Sequence, residues 1–340
     1  MRVSIVIPTW NGLGDLQACI ASIDRQTGVE VELMVVDNGS EDDSVVWLEE
    51  SGIKNLSLPR NLGFAVAVNL GVAHTEAPLV LVLNSDTVLE PDCLEHLVAA
   101  LDADPSLGGV QPRILQLVRG QAGDPDDPEA IVYSLGQALT ADGRARETAI
   151  GQAQGPSPIA PREIFGLCGA ACLFRREAFE SLGGYDEQYF AFYEDVDLNV
   201  RARIAGWKFR LAPEAVVWHV GNAAWNAGFE RPDAENARLV ARNRLSTQVK
   251  FMPLGSLPRI MVIESGALVR ATRERRLMFT VAGKVAALLR LPYLLRGRQA
   301  VKSSGDLELA RQWLGESKRG PAEILRHPVP PPGVPEIHNY

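Results

Sequence analysis

The 340-residue chain has only four cysteines, Cys19, Cys93, Cys168 and Cys172, and no two of them stand in a CxxC spacing. That argues against a paired thiolate zinc site and a small disulfide-stapled scaffold, and makes a reducing, cytoplasmic address the expectation. A basic excess is lacking as well, since 34 Lys and Arg face 42 Asp and Glu and leave a formal net charge of −8. A nucleic-acid groove needs the opposite sign to displace phosphate counterions, so no nucleic-acid partner is expected. No uninterrupted apolar run reaches the roughly twenty residues of a membrane-spanning helix. The apolar stretch within residues 1–8 is too short for a signal h-region and reads as a first buried strand. Neither a Gly-rich loop with a basic residue nor a GxGxxG follows that stretch, which argues against a sugar nucleotidyltransferase and a nicotinamide dehydrogenase.

What is present is ordinary for a folded chain: 46% apolar and 22% charged residues, enough for one large domain with or without an appendage. Residues 2–7, 31–36 and 78–83 are short, rich in Val, Leu and Ile, and bounded by polar turns, as parallel strands buried on both faces are. Helical patterns lie between them. Leu13, Leu16, Ile20 and Ile23 share one face, and a second helix carrying Val45, Val46 and Leu48 is expected to start from a Ser40 cap, with Asp43 three places on. A third helix is expected from 64 to about 74, and a fourth, with Pro91 in its first turn, to about 102. This alternation is the βαβ signature of an α/β sheet. From 119 to about 161 the pattern breaks at Asp124-Pro125-Asp126-Asp127-Pro128 and around Gly151 and Gly155, so a long, mobile insertion near the site is expected. Residues 164–174, with Gly166 and Gly169 among small side chains, suggest one strand closely approached by something else.

Beyond about 233 the chain reads as helical and ends in a Pro-rich tail, expected to be extended and poorly ordered. Within residues 277–295 Leu, Ala, Val and Phe mix with lysine and arginine. Two readings stay open there: a basic amphipathic surface on an anionic membrane, or a helix packed on the rest of the chain with its arginines in solvent.

In an open α/β sheet, ligands bind beyond the carboxyl ends of the strands, which singles out four polar stretches. Pro8-Thr9-Trp10-Asn11-Gly12 follows the first strand. Asp37-Asn38-Gly39-Ser40 follows the second, where a carboxylate could accept bonds from a base or a ribose, or merely form an Asx turn. Asn84-Ser85-Asp86-Thr87 follows the third; its carboxylate could meet Mg²⁺ or Mn²⁺, a hard ion that shares its coordination with substrate phosphates. Glu194, Asp195 and Asp197 open a helix behind Phe190-Ala191-Phe192-Tyr193. Acids in a first helical turn are commonly structural, but apolar surroundings raise a carboxylate's proton affinity toward that of a general base. His219 ends another apolar strand, where a neutral ring nitrogen can bind a metal, whereas His74 and His96 read as structural and His327 and His338 belong to the tail.

Taken in order, these stretches with Arg60-Asn61-Leu62-Gly63-Phe64, Gly183-Gly184-Tyr185-Asp186-Glu187 and Trp218-His219 resemble the family 2 glycosyltransferases, and among them the rhamnosyltransferase-like branch. The resemblance spans about residues 2–250. It implies the GT-A fold: α/β, a Rossmann-like, mixed but mostly parallel sheet flanked by helices, here as a catalytic domain over 1–250, with a C-terminal helical extension over 251–320 and a Pro-rich tail over 321–340. It implies that Pro8, Thr9, Asn11, Asp37, Asn38, Asn61, Gly63, Asn84 and Ser85 form the nucleotide pocket, with Asp37 on the base. Asp86 and His219 would hold Mg²⁺ or Mn²⁺, and Asp195 would be the base of an inverting transfer, with Glu194 and Asp197 as supporting or alternative carboxylates. The metal motif departs from a fully acidic one, having Asn84 and Ser85 before Asp86, which leaves a single carboxylate on the ion. The donor implied is a dTDP or UDP sugar, L-rhamnose first, and the acceptor a surface polysaccharide or polyprenyl-linked glycan at the inner face of the plasma membrane. The alternative is a non-catalytic subunit that binds nucleotide sugars or glycans.

Overall fold

The computed structural model describes residues 1–120, 123–140, 142–221, 232–304 and 314–315. The tail over 321–340, with His327 and His338, lies outside the described residues. In chain order the first half runs β1 (Arg2–Thr9), α1 (Leu13–Ile23), β2 (Glu30–Asp37), α2 (Ser44–Ser51), β3 (Asn55–Ser57), α3 (Phe64–Ala73), β4 (Leu79–Leu83), β5 (Thr87–Leu89), α4 (Cys93–Asp102) and β6 (Leu107–Gln116). Then come β7 (Val132–Ser134), β8 (Gln137–Thr140), β9 (Ala145–Glu147), β10 (Arg162–Ile164), β11 (Ala171–Arg175), α5 (Arg176–Ser181), α6 (Glu194–Ile204) and β12 (Lys208–His219). Four helices follow, α7 (Pro232–Phe251), α8 (Leu257–Arg273), α9 (Leu277–Leu289) and α10 (Leu291–Ser304), and a last short strand, β13 (Leu314–Gly315), pairs with β8.

The main sheet has the order β10-β12-β6-β11-β4-β1-β2-β3. β1 runs parallel to β2 and β4, whereas β11 is inserted antiparallel between β4 and β6, giving the mixed sheet. Side chains of a strand alternate between faces, and β1 uses both. Val3, Ile5 and Ile7 are buried with Leu16 and Ile20 of α1 and Leu94 and Leu97 of α4. Val6 joins the opposite layer with Val68 of α3, Leu198 of α6 and Phe209 of β12. Removing one such fully buried Leu or Ile side chain from a core costs about 2–5 kcal/mol, so these two layers hold the strand ends in place.

Three expectations are corrected. Ser40 does not cap α2, which begins at Ser44; the Ser40 hydroxyl instead accepts the Asn11 N–H at 2.9 Å, tying the loops after β1 and β2 together. Residues 164–174 are not one strand but β10 and β11 separated by a turn, and what approaches the turn is α6: a Cβ on Gly166 would lie 2.4 Å from the Asn199 amide and one on Gly169 3.4 Å from Asp195 Oδ2. The stretch after 119 is not patternless either, for it contains β7 and the β8–β9 hairpin, which turns through Gly143 at φ 80°. Strands of three or four residues are too short for a two-residue periodicity to show in a sequence.

From 232 to 304 the chain is mostly helical, as expected of the sequence beyond about 233. Among the described residues no single helix is long and apolar enough to cross a membrane; Leu277–Leu289 with Leu291–Ala300 reaches that length and composition only as a pair bent by 61°.

Candidate active site

The carboxyl ends of β1 and β4, the turn before β11, the start of α6 and the end of β12 surround a cavity of about 270 Å³. Pro8, Thr9, Asn38, Asn61, Asn84 and Ser85 line it, as do Asp86, Glu194, Asp195 and His219. Asn11, Asp37, Gly63 and Asp197 do not. Asn11 sits at φ 49° with its amide oxygen accepting the Glu41 N–H at 2.7 Å, which orders the loop beside the cavity. Asp37 is fully buried behind it. Its Oδ1 accepts the N–H groups of Gly39 and Ser40 at 3.1 and 3.0 Å, as an Asx turn does, while its Oδ2 has no hydrogen-bond partner among the described residues. Asn38 and Asn61 lock to each other through their side chains at 3.0 Å, and Asn38 Oδ1 receives the Leu62 N–H at 2.8 Å. Gly63 serves close packing: at φ 96° a Cβ there would meet the Phe190 carbonyl at 2.6 Å.

Asp86 and His219 are 133 residues apart in sequence, yet the register brings them together. β12 pairs antiparallel with β5 so that His219 faces Thr87, and the Val220 N–H donates to the Asp86 carbonyl at 3.0 Å. His219 Nε2 then lies 3.1 Å from Asp86 Oδ1 and 3.4 Å from Asn84 Nδ2, both Asp86 and His219 being buried. Tyr133 packs edge-on against the imidazole at a centroid distance of 4.4 Å and fixes its plane. Two ligands on adjacent corners of an octahedron with bonds of about 2.1 Å stand about 3.0 Å apart, so this N and O pair fits one edge of a divalent-ion site. Among the described residues no third His, Cys, Asp or Glu completes a cluster, which suits an ion finishing its shell with phosphate oxygens and water.

The three acids of α6 have separate environments. Asp195 Oδ2 accepts the Gly169 N–H at 3.1 Å and the Gln137 amide at 3.0 Å, and Oδ1 accepts the Val196 N–H at 2.7 Å. Burial pushes its proton affinity up while those three donors hold it back. Glu194 is raised well above the carboxylate range by burial and by the charge of Asp195, and its Oε2 has no hydrogen-bond partner among the described residues. Asp197 is held low despite burial, because Lys250 and Arg201 contact it on either side. It anchors α6 to α7 rather than facing the cavity.

Two residues that carry no motif of their own also stand here. Glu147 of β9 lines the cavity, its carboxyl pushed up to about 7 by burial and then by Asp195. Gln137 of β8 donates to Asp195 and, at 3.1 Å, to Glu147. Each stands in a short strand, 47 or more residues from the acids of α6, and no spacing links them. His74 and His96 are structural, as expected, bonded to Leu70 and Asp92 four residues back at the end of α3 and the start of α4.

A family model described as Glycosyl transferase family 2 matches residues 4–183. The N-acetylglucosaminyl-diphospho-decaprenol L-rhamnosyltransferase of Mycobacterium tuberculosis (strain ATCC 25618 / H37Rv) is 28% identical over 240 residues, covering 63% of this chain and 75% of that protein. The O-antigen chain rhamnosyltransferase RfbN of Salmonella typhimurium is 27% identical over 237 residues, covering 68% and 70%. Among solved structures, GalNAc-T7 with UDP, GalNAc and Mn²⁺ superposes with a TM-score of 0.53 at 17% identity, covering 78% of this chain and 54% of that one, a likeness of fold.

Proposed function

The chain belongs to glycosyl transferase family 2, in its rhamnosyltransferase-like branch, and from that membership we propose that it moves L-rhamnose, with inversion, from a dTDP-linked donor onto a saccharide hydroxyl. It is a glycosyltransferase of GT-A fold. The observation that carries the finer reading is the meeting, in one cavity, of Asp195 with the Asp86 and His219 pair. A subunit that only bound glycans would need neither.

In this reading the Asn38 and Asn61 pair, on the cavity wall, receives the nucleotide, and the buried Asp37 behind it holds the Gly39 and Ser40 turn in place. Asp86 Oδ1 and His219 Nε2 would hold Mg²⁺ or Mn²⁺, which when bound supplies charge stabilisation to the departing diphosphate. Asp195 accepts the proton of the acceptor hydroxyl while that oxygen attacks the anomeric carbon and the bond to the diphosphate breaks. One displacement gives inversion. Glu194 keeps its proton beside it, because two adjacent buried carboxylates cannot both ionise cheaply, so the base role falls to the one that three donors support. By likeness to the mycobacterial relative, the acceptor is a sugar carried on a polyprenyl diphosphate.

That acceptor would place the protein at the inner face of the plasma membrane, and α8, α9 and α10 suit such a surface. Met261, Met278 and Leu289 are 69, 72 and 79% exposed. Residues 252–304 hold ten Lys and Arg against two Glu in a chain whose net charge is −8. Apolar side chains set among arginines fit an anionic bilayer.

The donor reading is tested by thermal unfolding with dTDP, UDP and GDP, with and without Mn²⁺. A ligand that binds only the folded state raises its melting temperature. Metal-dependent stabilisation by dTDP, lost in Asp86→Ala, is the expected result, and no response to any nucleotide would refute it.

A further inference from the structure

The β8–β9 hairpin places a second carboxylate beside the base, and its hydrogen bonds leave little freedom in how it is presented. Cys168 donates its N–H to Gln111 Oε1 at 2.7 Å, which turns the Gln111 NH₂ toward Ser134 Oγ at 2.9 Å. Ser134 Oγ also accepts the Gly136 N–H at 3.1 Å, so its one proton is left for Glu147 Oε2. From the other side, Asn199 Oδ1 accepts the Leu167 N–H at 3.1 Å, which fixes that amide with its NH₂ on Gln137 Oε1 at 2.9 Å. The Gln137 NH₂ must then face outward, and its nitrogen donates to Glu147 Oε1 at 3.1 Å and Asp195 Oδ2 at 3.0 Å. Two carboxylates thus hang from one nitrogen, on the wall of one cavity, held by neutral donors that consume only part of their accepting capacity.

We propose, on the footing of the transferase reading above, that Glu147 and Asp195 form the acceptor subsite and bind two neighbouring hydroxyls of one sugar ring. Asp195 receives the hydroxyl that attacks, and Glu147 accepts a hydrogen bond from the hydroxyl next to it. The chemical class this geometry takes is a vicinal diol, whose two O–H donors match two acceptors fixed side by side. Trp10, Tyr133 and Phe192, which line the same cavity, supply aromatic surface for the C–H faces of a sugar. Glu147 is therefore a substrate-binding residue, and Gln137 a positioning residue that sets the spacing of the pair.

The test is saturation-transfer NMR on the full chain with dTDP and Mg²⁺, using methyl α-L-rhamnoside, methyl β-N-acetylglucosaminide and methyl β-galactoside as probes, while melting temperatures report dTDP binding on the same samples. We expect at least one glycoside to bind wild type, Glu147→Gln to weaken it at least tenfold, and a deoxy analogue lacking one hydroxyl of the diol to bind wild type and variant alike. Glu147→Asp, which keeps the charge but withdraws it by one methylene, should lose binding too and serves if the first variant does not fold. Equal glycoside binding by wild type and variant, or none by wild type while dTDP still stabilises it, would overturn the subsite alone. Loss of dTDP stabilisation in wild type would instead count against the donor reading.

Discussion

Glu147, Glu194 and Asp195 are three carboxyl groups on one wall, and their surroundings push their proton affinities apart. This has a consequence for stability. The folded-state affinity of Glu147 is raised from 4.5 to about 7, so the stability it contributes is fully present below pH 4.5 and is lost as the pH rises through 7. Glu147→Gln should accordingly match wild type in melting temperature near pH 5 and exceed it near pH 8. A variant less stable than wild type at pH 8 would contradict the burial and charge account. Asp86, Asp195 and His219 were legible in the sequence because each stands in a recognisable stretch at the start or end of an element. Glu147 and Gln137 were not, since what gives them meaning is the hairpin's register against α6.

The loop between α5 and α6 that leads into Asp195 is strained, with Phe190, Phe192 and Tyr193 at φ 68, 66 and 69°. Side chains at positive φ persist only where the surroundings over-determine them. Here α7 does so. The two amide protons of Asn243 serve the carbonyls of Tyr189, Ala191 and Phe192 at 2.9, 2.8 and 2.7 Å, and Arg242 also reaches the Tyr189 carbonyl. Asn243→Ala would leave buried carbonyls unpaired, which costs about 1–3 kcal/mol, and would loosen the approach to Asp195. Its melting temperature should fall and its turnover drop, while stabilisation by dTDP survives; unchanged turnover in a less stable variant would make the clamp structural only. The strands of the βαβ half were readable from their apolar runs. The clamp was not, because Asn243 lies 48 residues beyond Asp195 on a helix whose packing no local pattern announces.

At the scale of the whole molecule, an acidic sheet-bearing body is joined to a basic helical face, and α9 and α10 are tied back to the site's neighbourhood. Arg290 donates to the Gln188 carbonyl at 2.8 Å, and Tyr293 bonds Asp186. The full chain should therefore sediment with anionic liposomes at low salt, be released as salt screens the attraction, and bind less after Met278→Asp with Leu289→Asp. No sedimentation with anionic liposomes at low salt would remove the membrane from the account. Asp195 as the base of an inverting transfer is tested by the initial rate of transfer from dTDP-rhamnose to N-acetylglucosaminyl-diphospho-decaprenol by wild type and Asp195→Asn, with the anomeric configuration of the product. An inverted linkage is expected, with a rate lowered about 10²–10⁴-fold in a variant that still binds dTDP and metal; a retained configuration, or equal rates, would rule out Asp195 as the base of an inverting transfer.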